Sequence, residues 1–222
     1  MSQYEFEGNH DGEWDDNEDI AWNESDWQNF LRNSDKEIAK FTTAYNQVKT
    51  SPDRLDETAV LMGWHRDDWS STEVIEWEED ENSQIRPIDF DEINNLDPYT
   101  IHRHPVFISS SALFSYLRAA WEHFMRENEK LPDSSLSWSY GSSLADSERH
   151  CVLAASCLDL GDFLLAVCHL KKAHTALNES MRLNRLFSHQ NQKIFDGYLR
   201  ECDLRMHDLR EIWLRVINDC RR

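Results

Sequence analysis

The chain has 222 residues and a mass of 26.3 kDa, with 42 acids against 23 Lys and Arg, a formal charge of -19 and a mean hydropathy of -0.72. That length holds one ordinary domain, or one domain with a long appendage, and excludes a large multidomain machine. The charge excludes binding nucleic acid through its phosphates. The most apolar run, 152–170, is broken by Asp159, Gly161 and Asp162 and is unfit to cross a bilayer, so no membrane partner is expected.

The excess acid lies in one half. Residues 1–100 hold 27 acids and 7 bases, a charge of -20, whereas 101–222 hold 15 acids and 16 bases, a charge of +1. In 1–24 nine acids occur with no Lys or Arg, punctuated by Tyr4, Phe6, Trp14 and Trp22. Self-repulsion and scarce aliphatics predict a disordered or loosely docked arm over 1–24, and aromatics among acids suit a segment that folds against another surface.

After the arm, Ser25 and Gln28 read as a capping box, and Trp27, Phe30, Leu31, Ile38, Phe41, Tyr45 and Val48 recur at helical spacing, which predicts a helix over 26–49. Ser51-Pro52 opens a second, short helix that Gly63 closes near 62. From 64 to 95 the chain is a polar, acidic connector with Trp64, Trp69 and Trp77 and one helical turn expected near 72–79. Asp97-Pro98 starts a short turn, and Pro105 starts a helix lined by Phe107, Ser111, Phe114, Leu117, Trp121 and Phe124, stopped by Leu131-Pro132. A serine-rich connector is expected to 142, then helices over 143–160 and to 187 joined at Gly161-Asp162, and a last helix after Ser188. On that last helix Phe195, Tyr198, Cys202, Met206, Leu209, Trp213, Val216 and Cys220 keep a near-heptad seam, enough to pack along another helix or to support a homodimer.

With no strand pair predicted, the expected fold is all-α: a bundle of four longer helices over 105–220 with two added N-terminal helices and the acidic arm. The corresponding divisions are an arm over 1–24, N-terminal helices and connector over 25–96, and a bundle over 97–222.

Within 150–183, Ala154, Ala166 and Ala173 flank Gly161-Asp162-Phe163 with gaps of 12 and 7. This hairpin resembles a single tetratricopeptide repeat. It departs from the repeat at His150 and Cys157, where large aromatics are usual, and at Asn178, where proline is frequent; no second copy lies one repeat away. The resemblance therefore implies a helical hairpin and no peptide groove.

Chemistry is sparse. Nucleotide loops, H-E-x-x-H and G-x-S-x-G are all absent, and the one E-x-x-H, Glu7 to His10, falls in the arm and not on a predicted helix, so no catalytic residue, cofactor or cofactor-binding residue is assigned. His102, His104 and His123 are candidate metal ligands, though anchoring of the turn before Pro105 is the favoured reading. His207-Asp208 has the form of a metal-phosphohydrolase dyad without an evident upstream partner. Cys168-His169 are neighbours that point apart on a helix. Asp11, Glu13 and Asp15, like Asp89 and Asp91, lack the glycine and glutamate of a calcium loop. The five cysteines, all in the last third and never as C-x-x-C, read as buried free thiols in a reducing, cytoplasmic setting.

The most unusual stretch, 63–69, brackets His65, Arg66 and two acids with Trp64 and Trp69. Trp and Arg dominate binding where they lie at interfaces. Trp14, Trp22, Trp64, Arg66 and Trp69 are thus the expected interaction residues, and the expected function is non-enzymatic association with a protein partner. The alternatives are a metal-dependent hydrolase in a helical bundle and an acidic mimic of nucleic acid. A further expectation is that the last 41 residues, with nine bases against six acids, receive the acidic arm.

Overall fold

The computed structural model describes residues 22–64, 101–127, 133–188 and 192–222, side chains at 188 and 192–196 excepted. All the regular structure in them is helical. Helix α1 is Glu24–Val48, α2 Arg54–Met62, α3 Pro105–Glu127, α4 Ser134–Asp159, α5 Phe163–Ser188 and α6 Gln192–Asp219, with a single 3-10 turn, Ile101–Arg103, before α3. The chain is all-α. The helical turn expected near 72–79 and the turn at Asp97-Pro98 lie outside the described residues.

Each helix begins and ends for a local reason. The cap of α1 is Asn23 rather than Ser25: its Oδ1 accepts from the Ser25 and Asp26 amides at 2.8 and 3.1 Å, and Asp26 Oδ2 accepts from the Asn23 amide at 3.1 Å. The capping box sits two residues earlier than predicted because Asn is at least as good a cap as Ser, and its partner carboxylate is three residues on. Helix α2 starts at Arg54, two residues later than Pro52 suggests, with Ser51 Oγ accepting from the Asp53 amide at 3.2 Å. Gly63 closes it in the left-handed region, φ 79°, and the Trp64 amide reaches back to the Ala59 carbonyl at 2.9 Å.

The largest departure is α4. It begins at Ser134, so the serine-rich stretch expected to be a connector is its first two turns. Serines weaken a helix by competing for backbone groups. Here Ser137 and Ser139 return that competition to the helix, donating to the Asp133 and Ser135 carbonyls four residues back at 3.2 and 2.8 Å. Tyr140, fully buried against Trp121 and Phe187, supplies the packing that overrides propensity.

Helices α4 and α5 form a tight antiparallel hairpin. Ala154, Ala166 and Ala173 are fully buried along it, Ser147 Oγ donates to the Ala173 carbonyl at 2.9 Å, and the Ser143 and Ser180 hydroxyls meet at 2.7 Å. Small side chains allow the close approach, which is the physical content of the repeat-like alanine spacing. Helix α5 packs on α6, α6 on α3 and α3 on α4, while α1 packs on α2 and α3. One apolar core runs through all six, including Phe41, Tyr45, Phe114, Leu117, Tyr140, Leu170, Phe187, Met206 and Trp213. The α6 seam offered to a second copy is spent here: Cys202, Met206, Leu209, Trp213 and Val216 are fully buried inside the chain.

One core position is not apolar. Asn184 on α5 is fully buried, and neither its Nδ2 nor its Oδ1 finds a partner among the described residues. A buried amide without partners costs about 1–3 kcal/mol. Asn184→Leu, which keeps the branched shape and the number of side-chain heavy atoms, is expected to stabilise the fold by about 1 kcal/mol in urea unfolding; destabilisation would mean the amide is satisfied or the larger methyls do not fit.

Candidate functional site

The polar groups that matter gather in three places. The first is a buried carboxylate, Asp208 on α6. It accepts from Arg54 Nε at 2.8 Å, from Arg54 Nη2, and from the Tyr45 hydroxyl. Burial first, then the Asp208 bond, raises the Tyr45 phenol above its ordinary value; the same carboxylate raises Arg54. One helical turn earlier, buried Arg205 donates to Glu201 Oε2 at 2.7 Å and to Asn46 Oδ1 at 3.2 Å, with its guanidinium 3.4 Å above the Tyr116 ring. Lys49 reaches Glu201 at 3.0 Å, and Arg215 reaches Asp56 at 2.5 Å. Helices α1 and α2 are thus fastened to α6 by long polar side chains from the sequence-distant end of the chain. His207, by contrast, is exposed, with Nδ1 2.7 Å from the Asp203 carbonyl. The dyad suggested by His207-Asp208 is split, because adjacent residues on a helix point about 100° apart.

The second place is the turn before α3. His104 is the cap: its carbonyl accepts from the Ile108 amide at 3.0 Å, and its Nδ1 accepts from the Val106 amide at 3.1 Å. It is 1% exposed, and burial lowers its pKa to about 4. His102 instead lies edge-on to Phe30 and Phe107, at 5.8 and 5.0 Å between centroids, and His123 is exposed on α3. The three histidines therefore have separate surroundings, and among the described residues no group of three or more His, Cys, Asp or Glu is placed to hold a metal.

His104 has a pH consequence. Its folded pKa lies below the ordinary value near 6.5, so the unfolded chain binds the extra proton between about pH 6.5 and 4. Stability from this group is full above pH 6.5 and falls as pH drops towards 4, by roughly 3 kcal/mol in all. His104→Asn keeps a cap and removes the titration, so urea midpoints at pH 7 and pH 4.5 are expected to converge for the variant relative to the parent.

Around this turn lies an aromatic cluster. Trp22 packs on Trp27 and Phe30 at 5.0 and 5.7 Å, and Arg103 lies over Phe30 at 5.8 Å. Trp27 is 41% exposed. Of the expected interaction residues, Trp22 thus stands where the acidic arm joins the body. Trp64 is stacked on Phe41 at 5.8 Å and packs against the core, while Trp14, Arg66 and Trp69 lie outside the described residues.

The third place is the outer face of the α4–α5 hairpin, which sequence reasoning missed. An open groove of about 450 Å³ is lined by Asp146, Arg149, His150, Lys171, Lys172 and Glu179, among others. His150, on its lining, meets His169 of α5, Nδ1 to Nδ1 at 3.1 Å. Burial, then Arg149, His169 and Lys172, hold the His150 imidazole below the usual histidine range. Asp146 is paired with Arg149 and Glu179 with Arg182, whereas Lys171 and Lys172 make no ion pair among the described residues. Towards the hairpin turn the same face exposes Leu153, Leu160, Leu164 and Leu165, and Cys168. Cys168 corrects the expectation of wholly buried thiols: its helix turns it away from Val167 and Leu170, which are in the core. All five cysteines are free, and burial pushes Cys151 and Cys202 up to about 12, so these two are inert thiols at neutral pH.

The basic residues expected to receive the arm on α6 are largely engaged. Arg205 and Arg215 are paired as above, Arg210 donates to His174 at 3.0 Å, and Arg222 lies 3.7 Å from Asp219. No helix among the described residues is long and apolar enough to cross a membrane. Compared with protein-family models, with curated proteins and with solved structures, the chain matches none.

Proposed function

We propose that this chain is a non-enzymatic association module, in which a four-helix bundle over 105–220, buttressed by α1 and α2, carries an acidic, aromatic-punctuated arm that binds a basic segment of a partner protein. The observation that carries this reading is the division of charge, -20 on 1–100 against +1 on 101–222. Support comes from the ion pairs within the body, which engage Arg54 with Asp208, Arg205 with Glu201 and Arg215 with Asp56, and from Trp22 and Trp27 presented where the arm meets the body. Carboxylates would steer a cationic partner, and desolvated tryptophans would supply the affinity. The five free thiols fit a reducing, cytoplasmic compartment.

The test is fluorescence anisotropy of a labelled lysine-rich peptide with the full chain. Replacing Asp11, Glu13, Asp15 and Asp16 by their amides is expected to weaken binding at least tenfold and to flatten its salt dependence. Trp14→Ala is expected to weaken it about tenfold while leaving the salt dependence unchanged. If the full chain ignores the peptide, or Trp14→Ala binds as the parent does, the reading fails. Displacement of a nucleic-acid-binding protein from DNA by the chain would identify the arm as a mimic of nucleic acid.

A further inference from the structure

We infer that the outer groove between α4 and α5 is the resting site of the chain's own residues 1–21, so that the arm is held against its body until a basic partner competes for it. This inference rests on the reading of the arm as the binding element and supplies its regulation.

Three observations converge. The groove is lined by Arg149, His150, Lys171 and Lys172 together with Asp146 and Glu179; the two acids are paired with Arg149 and Arg182, and the two lysines have no acidic partner among the described residues, whereas Arg205 and Arg215 on α6 and Arg222 beyond it are engaged. Residues 1–21 carry eight acids and no Lys or Arg, so the charges are complementary. The apolar part matches too. Leu160 and Leu164 are each 76% exposed; Arg149 and Leu153 share one face of α4, with Leu160 just past its end, and Leu164, Leu165, Cys168, Lys171 and Lys172 share one face of α5. An exposed leucine cluster continuous with a cationic groove suits a segment in which Tyr4, Phe6 and Trp14 are spaced among carboxylates.

Reach is no obstacle. Twenty-one residues extend to about 70 Å, and a body of about 200 residues has a radius of gyration of about 16 Å. A tethered segment meets such a groove at an effective concentration on the order of millimolar, so weak contacts suffice. A separate acidic partner has no such advantage.

Zero-length carbodiimide coupling of the full chain tests this, because it joins a lysine to a carboxylate only where they touch. A mixture of unlabelled and nitrogen-15 chains is used, so that links within one chain and between two are told apart by mass. The expected result is a link from Lys171 or Lys172 to an acid among Glu5, Glu7, Asp11, Glu13, Asp15, Asp16, Glu18 and Asp19, within one chain and suppressed at high salt. Links confined to other lysines, links of mixed isotopic mass, or no links from the arm would overturn the inference. Lys171→Gln with Lys172→Gln, both exposed, is expected to raise affinity for the lysine-rich peptide about tenfold by freeing the arm; unchanged affinity counts against docking. A chain that binds the peptide without forming the link loses this inference and keeps the association reading. One that forms the link but binds no basic peptide loses that reading and keeps the site.

Discussion

Asp208→Ala is expected to lower stability by about 3 kcal/mol, a fall in Tm of roughly 10 °C for a chain of this size. The loss comes less from the missing contact than from what it leaves behind. Arg54, whose side chain is 19% exposed, keeps its charge without a counter-ion, and the Tyr45 hydroxyl loses its acceptor inside the core. Breaking one partner of a buried pair costs about 3–5 kcal/mol, and the partial exposure of Arg54 places this case at the lower end, because water reaches the orphaned guanidinium. Two variants separate this mechanism from simple misfolding. Tyr45→Phe removes one bond to a charged acceptor and is expected to cost about 1.5 kcal/mol. Arg54→Met combined with Asp208→Leu removes both charges at once and is expected to recover most of the stability that Asp208→Ala loses. Urea midpoints at pH 7 measure all three; a double variant as unstable as the single would show that the pair itself, not the orphaned charge, sets the cost.

Trp213→Ala is expected to cost about 4 kcal/mol, within the 3–5 kcal/mol range for truncating a buried large aromatic. Trp213 is fully buried on α6, stacked on Phe114 at 6.1 Å between centroids, and its indole donates to Ser110 Oγ at 3.4 Å. It joins α3 to α6, so the cavity opens between two helices that α4 and α5 also hold, and collapse is limited. Trp213→Phe keeps most of the volume and is expected to cost about 2 kcal/mol. Trp138→Ala provides the contrast: at 80% exposure it is expected to change stability by less than about 0.5 kcal/mol. Equal losses for Trp138 and Trp213 would contradict this placement of the core.

The all-α class was legible because periodicity reports packing: the α6 seam of Cys202, Met206, Leu209, Trp213 and Val216 is buried as its spacing predicts. The start of α4 was not legible, since serines favour a connector by propensity and only Tyr140's distant neighbours, Trp121 and Phe187, reverse that preference. Asp208 illustrates the same limit. Glu201, Arg205, Asp208 and Arg215 form an alternating-sign stripe at helical spacing, so a charged face beside the seam was readable. Its partners Tyr45, Arg54 and Asn46 lie some 150 residues away, and no local pattern names them. The His150–His169 pair was closer to hand. With Ala154 and Ala166 level across the turn at Gly161, one helical turn further out brings His150 opposite His169. Reading across the hairpin as well as along each helix would have found it.

The central claim is that the first hundred residues, not the helical body, meet the partner. The nine tryptophan indole N–H signals in a proton–nitrogen NMR spectrum of the full chain report on it directly, since six of the nine lie in that half. On adding the lysine-rich peptide, the signals of Trp14 and Trp22, assigned through Trp→Phe variants, are expected to shift while those of Trp121 and Trp213 stay in place. Shifts of Trp121 and Trp213 with Trp14 and Trp22 unmoved would contradict the account.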